Sequence, residues 1–168
     1  MELKELFEKR YSVRSFQPKE VEEEKIIRIL EKARLAPSAV NFQPWKMYLL
    51  RQGETRLKIN GAYPKRWFEN APVVAVFTGL MGQNWKRRDG KDYLMCDVTI
   101  LADYFVLAAT EEELGTCYVG AFDAETVSEA LNLKNEDPIL MVPFGYVSDD
   151  SKFKEKKRKS VDEIAVWL

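Results

Sequence analysis

Apolar residues recur along this chain at two spacings, and each spacing predicts a different element. From Val21 to Leu35, Ile26, Ile27, Leu30, Ala33 and Arg34 fall on an i, i+3, i+4, i+7 face, which predicts an amphipathic helix. Glu22 to Glu24 suit its N-terminus, and Pro37 closes it. Leu3 to Lys9 reads as a short helix, as do Thr55 to Asn60, Lys65 to Glu69 and Ala124 to Leu131. Ala71 to Thr78 is a nearly continuous apolar run rich in valine, the pattern of a strand buried on both faces. Trp45 to Arg51, Gly115 to Val119 and Ile139 to Tyr146 read as further strands, with Gln52-Gly53 as a turn. Arg10 to Phe16 breaks the helical pattern and looks extended, and Pro37 to Pro44 has the chemistry of a loop. Gly79 to Gly90 is a polar, basic insertion, and Val161 to Trp167 suits a final strand or a docking tail. Helices and strands mixed in this way predict one α+β domain over residues 1–168, with helices over a mainly antiparallel or mixed sheet.

The stretch Tyr93 to Glu113 is apolar on more than one face, through residues such as Leu94, Ile100, Phe105 and Leu107. Such a helix requires burial on all sides. Two arrangements supply it: a large obligate dimer interface, which is the expectation for so small a domain, or a central helix in a monomeric core.

Composition narrows the chemistry. The chain has 168 residues, 46% hydrophobic and 32% charged, which is globular composition. Its 26 basic and 27 acidic residues leave a net charge of −1, so no global field favours nucleic acid or membrane. No apolar run approaches the length of a membrane-spanning helix, and Met1 to Glu5 carries no apolar signal core. Cys96 and Cys117 are far apart in sequence and read as buried thiols of a reducing, cytoplasmic compartment. There is no histidine, which excludes a Ser-His-Asp triad, a His-activated cysteine and any His-ligated metal. An enzyme built this way needs a bound cofactor for its hard chemistry.

Four constellations are candidates for a site. In an extended segment Arg10, Ser12 and Arg14 point the same way, and two guanidiniums with a hydroxyl make a receiver for phosphate or carbonyl oxygens. The alternative is an ordinary solvated edge. Pro37-Ser38-Ala39-Val40-Asn41-Phe42-Gln43-Pro44-Trp45 offers small residues, a hydroxyl and amides in a stiff loop; a flat ligand or a plain connection both fit. Gly115 to Phe122 ends a strand in the bare backbone of Gly120-Ala121, suited to a hydrogen bond to a ring nitrogen or to a tight turn. The run Lys152, Lys154, Lys156, Lys157, Arg158 and Lys159 is a solvated face or a lid over a phosphate.

Taken in order and spacing, these segments resemble the nitroreductase family. The match rests on Arg10-Tyr11-Ser12-Val13-Arg14-Ser15-Phe16, on Pro37 to Trp45 and on Gly115-Thr116-Cys117-Tyr118-Val119-Gly120. The Asn70 to Val74 strand, the Asp97 to Ala109 helix and the Arg158-Lys159-x-x-x-Glu163-Ile164 tail agree with it. The resemblance implies a three-layer α+β sandwich forming an intertwined homodimer, with two FMN sites at the interface. It implies that Arg10 and Arg158 hold the FMN phosphate with Ser12 beside them, and that Lys156 joins them. Arg14 would reach the pyrimidine side of the flavin. Pro37, Ser38, Ala39 and Asn41 would come from the partner subunit, and the backbone at Gly120 and Ala121 would approach flavin N5. Tyr11 and Val119 belong to the same cofactor motifs. Residues 152–168 would form a tail that embraces the partner. No metal is implied.

The sequence departs from the family pattern at Gly120-Ala121, where an acid followed by glycine is common, and in the acidic Glu111-Glu112-Glu113 run. Helical insertions over the site are minimal, which leaves Trp67, Trp85 and the 79–90 stretch as a lid. The expected function is transfer of hydride or electrons from NADH or NADPH through FMN to a small acceptor such as a nitroaromatic or quinone, by a ping-pong mechanism. The alternatives are a flavin-binding protein without efficient turnover, a relative that fragments flavin or removes halogen, and a nucleic-acid binder using the basic tail.

Overall fold

The computed structural model describes residues 2–153 and 155–168; Lys154 of the basic run lies outside the described residues. Four strands form one sheet in the order β1-β2-β4-β3: β1 (Trp45–Leu50), β2 (Val73–Leu80), β3 (Gly115–Thr116) and β4 (Glu136–Gly145). All neighbouring pairs are antiparallel. The valine-rich run becomes β2 at the centre, paired on both sides and buried along nearly its whole length. Strand alternation sends Val73, Ala75 and Phe77 to one face and Val74 and Val76 to the other.

Helices cover both faces. On one side lie α2 (Glu23–Ala33) and α5 (Leu94–Glu111), which join Ile26, Ile29 and Ala33 to Val98, Leu101 and Phe105. The Phe105 ring meets Phe77 and Phe144 edge-on, with centroids 5.4 and 5.2 Å apart. On the other side, α3 (Glu54–Ala62), α4 (Arg66–Glu69) and α6 (Ala124–Ala130) bury Ile59, Phe68 and Val127 against Val74, Val76 and Met141. The domain is thus the three-layer α+β sandwich expected.

Several details differ from the sequence reading. The helix face of α2 turns Ile29 inward and leaves Ile27 half exposed. The strand expected over 115–119 is a two-residue ladder followed by an isolated bridge between Val119 and Met141. Cys96 is exposed rather than buried. It lies on the stripe of α5 that also carries the exposed Met95 and Tyr104, while the opposite face fills the core. The chain end forms one helical turn, α7 (Val161–Ile164), and then an extended segment that pairs with no strand among the described residues. Its Val166 and Trp167 are 83% and 88% exposed, which removes the final-strand alternative and leaves the tail.

Two polar clamps hold the layers. The Arg56 guanidinium is buried and donates to the carbonyls of Phe68 (2.8 Å) and Ala71 (3.1 Å) and to Asn60 Oδ1 (2.7 Å). It ties α3 to α4 and to the entry of β2, and burial pulls its pKa down to about 10. At the far end of α5, Glu112 accepts from Arg28 Nη2 at 2.7 Å and from Lys32 Nζ at 3.3 Å, and its backbone carbonyl accepts from Lys25 Nζ at 2.9 Å. The hydrogen bonds from Arg28, foremost, hold the Glu112 carboxyl at about 2, below its ordinary 4.5. The clamp is therefore complete above pH 4.5 and is lost as the pH falls toward 2. Glu112→Gln should lower the melting temperature at pH 7, and the gap to wild type should close on titration from pH 4.5 to 2. A gap that stays constant across that range would show that the carboxylate charge contributes nothing.

Candidate active site

The site is built on the extended segment after α1 (Leu3–Lys9). Its backbone docks against the sheet end: Val13 N–H donates to Thr116 O at 2.9 Å and Gln17 N–H to Tyr146 O at 2.9 Å. Val13 and Phe16 are driven inward and buried, so Ser12 and Arg14 are turned out to solvent. Gly115 makes this docking possible. A Cβ there would lie 2.7 Å from both Val13 Cγ2 and Val147 Cγ2.

Arg10, Ser12 and Arg14 line a cleft of about 500 Å³ together with residues 150–152 and 155–158 of the returning chain. That return is pinned in place. Tyr11 Oη lies 3.2 Å from Ser151 Oγ, Ser15 Oγ donates to Asp150 Oδ1 at 2.8 Å, and the Phe153 ring meets Tyr11 edge-on at 5.2 Å. Six bases, Arg10, Arg14, Lys152, Lys156, Lys157 and Arg158, face two acids, Asp150 and Glu155, around this cleft. Burial first, then the neighbouring Arg10 and Arg158 charges, lower the Lys156 pKa. Cations crowded in this way repel one another, and a bound anion relieves the repulsion. The lysine has a second task that its sequence position does not show. Its Nζ donates to Phe7 O and Glu8 O, each at 2.6 Å, and so caps α1.

A second cleft of about 370 Å³ shares Arg14 and Ser15 with the first and adds Lys65, Arg66, Trp67 and Asn70. The Arg14 guanidinium carbon sits 5.7 Å from the Trp67 ring centroid, so an aromatic wall and a cation stand side by side. Trp67 therefore belongs to the site. Trp85 stacks edge-on against Tyr93 at 5.1 Å in the 79–93 segment and lines neither cleft. Lys65, Arg66 and Asn70 were missed in the sequence reading, although they flank a tryptophan in a basic stretch.

The remaining expected residues stand elsewhere in the protomer. The 37–43 loop lines neither cleft. It leaves Pro37, Val40, Asn41, Phe42 and Gln43 exposed and Ser38 and Ala39 partly so. Ser38 Oγ accepts from Gln43 N–H at 2.8 Å, and the 3-10 turn Ala39–Asn41 follows. Val119 is buried by its bridge to Met141, whereas Gly120 and Ala121 are exposed. A Cβ on Gly120 would meet nothing within 4 Å, so this bare backbone faces open space and no tight turn demands the glycine. Among the described residues no group of three or more His, Cys, Asp or Glu side chains could hold a metal ion, and no helix is long and apolar enough to cross a membrane.

Comparison with known proteins places this geometry. Residues 7–67 and 60–146 match the model described as the nitroreductase family. A nitroreductase family protein from Clostridium difficile, known from its crystal structure, is 32% identical with a TM-score of 0.91, covering 99% of this chain and 98% of that one. An NADH dehydrogenase of Thermus thermophilus is 26% identical, covering 95% of this chain and 92% of its own length. A protein from Exiguobacterium sibiricum solved in complex with FMN shares the fold, at 18% identity and a TM-score of 0.87, over 100% of this chain and 98% of that one. The chain belongs to the nitroreductase family.

The crowded bases predict specific anion binding. Inorganic phosphate at ten times its dissociation constant should stabilise the fold by about 1.4 kcal/mol, or about 3–6 °C in melting temperature for a chain of this size. Arg10→Ala should remove most of that shift. A shift matched by chloride at equal ionic strength would mean ordinary screening and no site.

Proposed function

We propose that the protein binds FMN and passes hydride or electrons from NADH or NADPH to a small acceptor, a nitroaromatic, quinone or similar compound. Membership of the nitroreductase family makes it an oxidoreductase. The observation that carries the rest is the cleft in which Arg10, Lys156 and Arg158 crowd around the outward-facing Ser12 and Arg14. Those residues fit a phosphate-bearing flavin: the bases and a hydroxyl receive the phosphate, and Arg14 with Trp67 continues into the second cleft.

FMN, when bound, supplies hydride acceptance at N5 and release of electrons to a second substrate. Arg10 and Arg158 hold the phosphate by charge-assisted hydrogen bonds, with Ser12 and Tyr11 beside them. Lys156 adds charge to that site while its hydrogen bonds keep the end of α1 in place. Arg14 lies toward the pyrimidine carbonyls and favours negative charge there. The exposed, bare backbone at Gly120 and Ala121, beyond the buried Val119, would offer N–H groups to flavin N5 without an acid at position 120. Donor and acceptor take turns over one ring face, which predicts parallel steady-state lines.

Pro37, Ser38, Ala39 and Asn41 complete the site from a second copy of the chain. The exposed 37–43 loop, which lines neither of the clefts that Arg14 joins, supports this. So do the exposed Leu3 and Phe7 of α1 and Tyr104 of α5 beside them, an apolar face that a homodimer would cover. The exposed tail that ends in Val166, Trp167 and Leu168 embraces the partner in this reading. The free thiols Cys96 and Cys117 suit a reducing, cytoplasmic setting.

The visible spectrum of the purified protein with FMN, before and after anaerobic NADH and then NADPH, tests the reading. Flavin bands that bleach with either nucleotide are expected. Bands that persist with both would favour a flavin-binding protein without turnover, and a chain that takes up no FMN would overturn the proposal. Arg10→Ala and Arg158→Ala should each weaken FMN about tenfold or more, the loss of one hydrogen bond to a charged group. Titration by flavin fluorescence measures this, and wild-type affinity in both variants would refute the phosphate assignment.

A further inference from the structure

The first turn of α5 holds a carboxylate that neither clamp nor cleft uses. Asp97 is 2% exposed and forms no salt bridge among the described residues. Its Oδ1 accepts from the Ala39 N–H at 2.9 Å. Its Oδ2 is buried with no hydrogen-bond partner among the described residues. A buried carboxylate with half its capacity unused is costly, so its retention needs a reason. Capping of α5 is not that reason, because Asp92 Oδ1 already accepts from the Leu94 N–H at 2.8 Å.

The loop that Asp97 grips is strained. Val40, Asn41 and Gln43 all have positive φ, at 55°, 57° and 51°, and the first is β-branched. Such conformations persist only where the surroundings over-determine them. Within the loop, Ser38 Oγ holds the Gln43 amide. From the body of the protein, Leu80 N–H donates to Pro44 O at 2.8 Å at one end, and Asp97 receives Ala39 at the other. Position 97 also lies near the positive end of the longest helix, which favours a negative charge there.

We propose that Asp97 is the positioning residue of the cofactor-facing loop: it fixes the Ala39 amide so that Ser38, Ala39 and Asn41 are presented in one conformation to the flavin. This rests on the reading that the loop lines an FMN site. Asp97→Ala should weaken FMN about tenfold or more, as expected for a lost charge-assisted hydrogen bond. Asp97→Asn keeps an acceptor oxygen and should stay within about threefold of wild type. The apo wild-type chain gives a readout free of any variant: in hydrogen exchange the Ala39 amide should be as protected as core amides of α5. Wild-type FMN affinity in Asp97→Ala, equal losses in both variants, or exchange of Ala39 at open-loop rates would each overturn the proposal. A wild-type chain that bound no FMN would remove the functional reading and this one together; a wild-type chain that bound FMN with an indifferent Asp97→Ala would remove this one alone.

Discussion

The cation cluster depends on one close approach. Val13 packs where the Cβ of residue 115 would be, and only the bare backbone of Gly115 leaves room for it. With Val13 seated, its N–H reaches Thr116 O, and Phe16 follows into the core beside Val147. The pleat then has no choice about the residues on either side of Val13. Ser12 and Arg14 must face outward, on the side where the chain returns after Asp150. A hydrogen bond between Tyr11 and Ser151 and one from Ser15 to Asp150 hold that return, and Lys156 and Arg158 line the same cleft. The cluster of bases in the proposed anion site thus follows from a packing detail in the core.

The concentration of like charge has a structural cost that the fold offsets locally. Lys156 spends its donors on the last carbonyls of α1, groups that every helix end leaves unsatisfied. The cluster is thereby linked to α1, whose Leu3 and Phe7 are exposed on the same surface as Tyr104 of α5. The cation cluster and that apolar face share one helix. On the other side of the proposed site, Asp97 and Leu80 hold a loop of unfavourable backbone conformation at the edge of β2. In the proposed function, the cation cluster and this loop are the two parts of a cofactor site shared between subunits.

Much of this was legible in the sequence because it follows from short-range periodicity. The period-two rule put Arg10, Ser12 and Arg14 on one side before any fold was known, and the nearly continuous apolar run from Ala71 to Thr78 pointed to a buried central strand. The nitroreductase resemblance then joined segments that periodicity leaves separate. What stayed hidden depends on contacts between distant parts of the chain. A helix as apolar as Leu94–Glu111 does not reveal which stripe faces outward, so Cys96 was placed on the wrong side. The second role of Lys156, capping α1, left no mark because the carbonyls it meets belong to residues at the other end of the chain. Asp97 and Arg56 went unmarked because their partners are chiefly backbone groups, which no side-chain pattern reveals.

The central claim is that one flavin site is assembled from the cation cluster of one copy and the 37–43 loop of another. Complementation in mixed dimers tests it most directly. A chain carrying Arg10→Ala and Arg158→Ala is combined with a chain carrying Asn41→Ala and Asp97→Ala, the pair is isolated by two affinity tags, and bound FMN is counted. A shared site predicts about one FMN per mixed dimer, because one pairing of intact cluster with intact loop is restored. A mixed dimer that binds no more FMN than either parent would place cluster and loop in the same subunit and contradict the account.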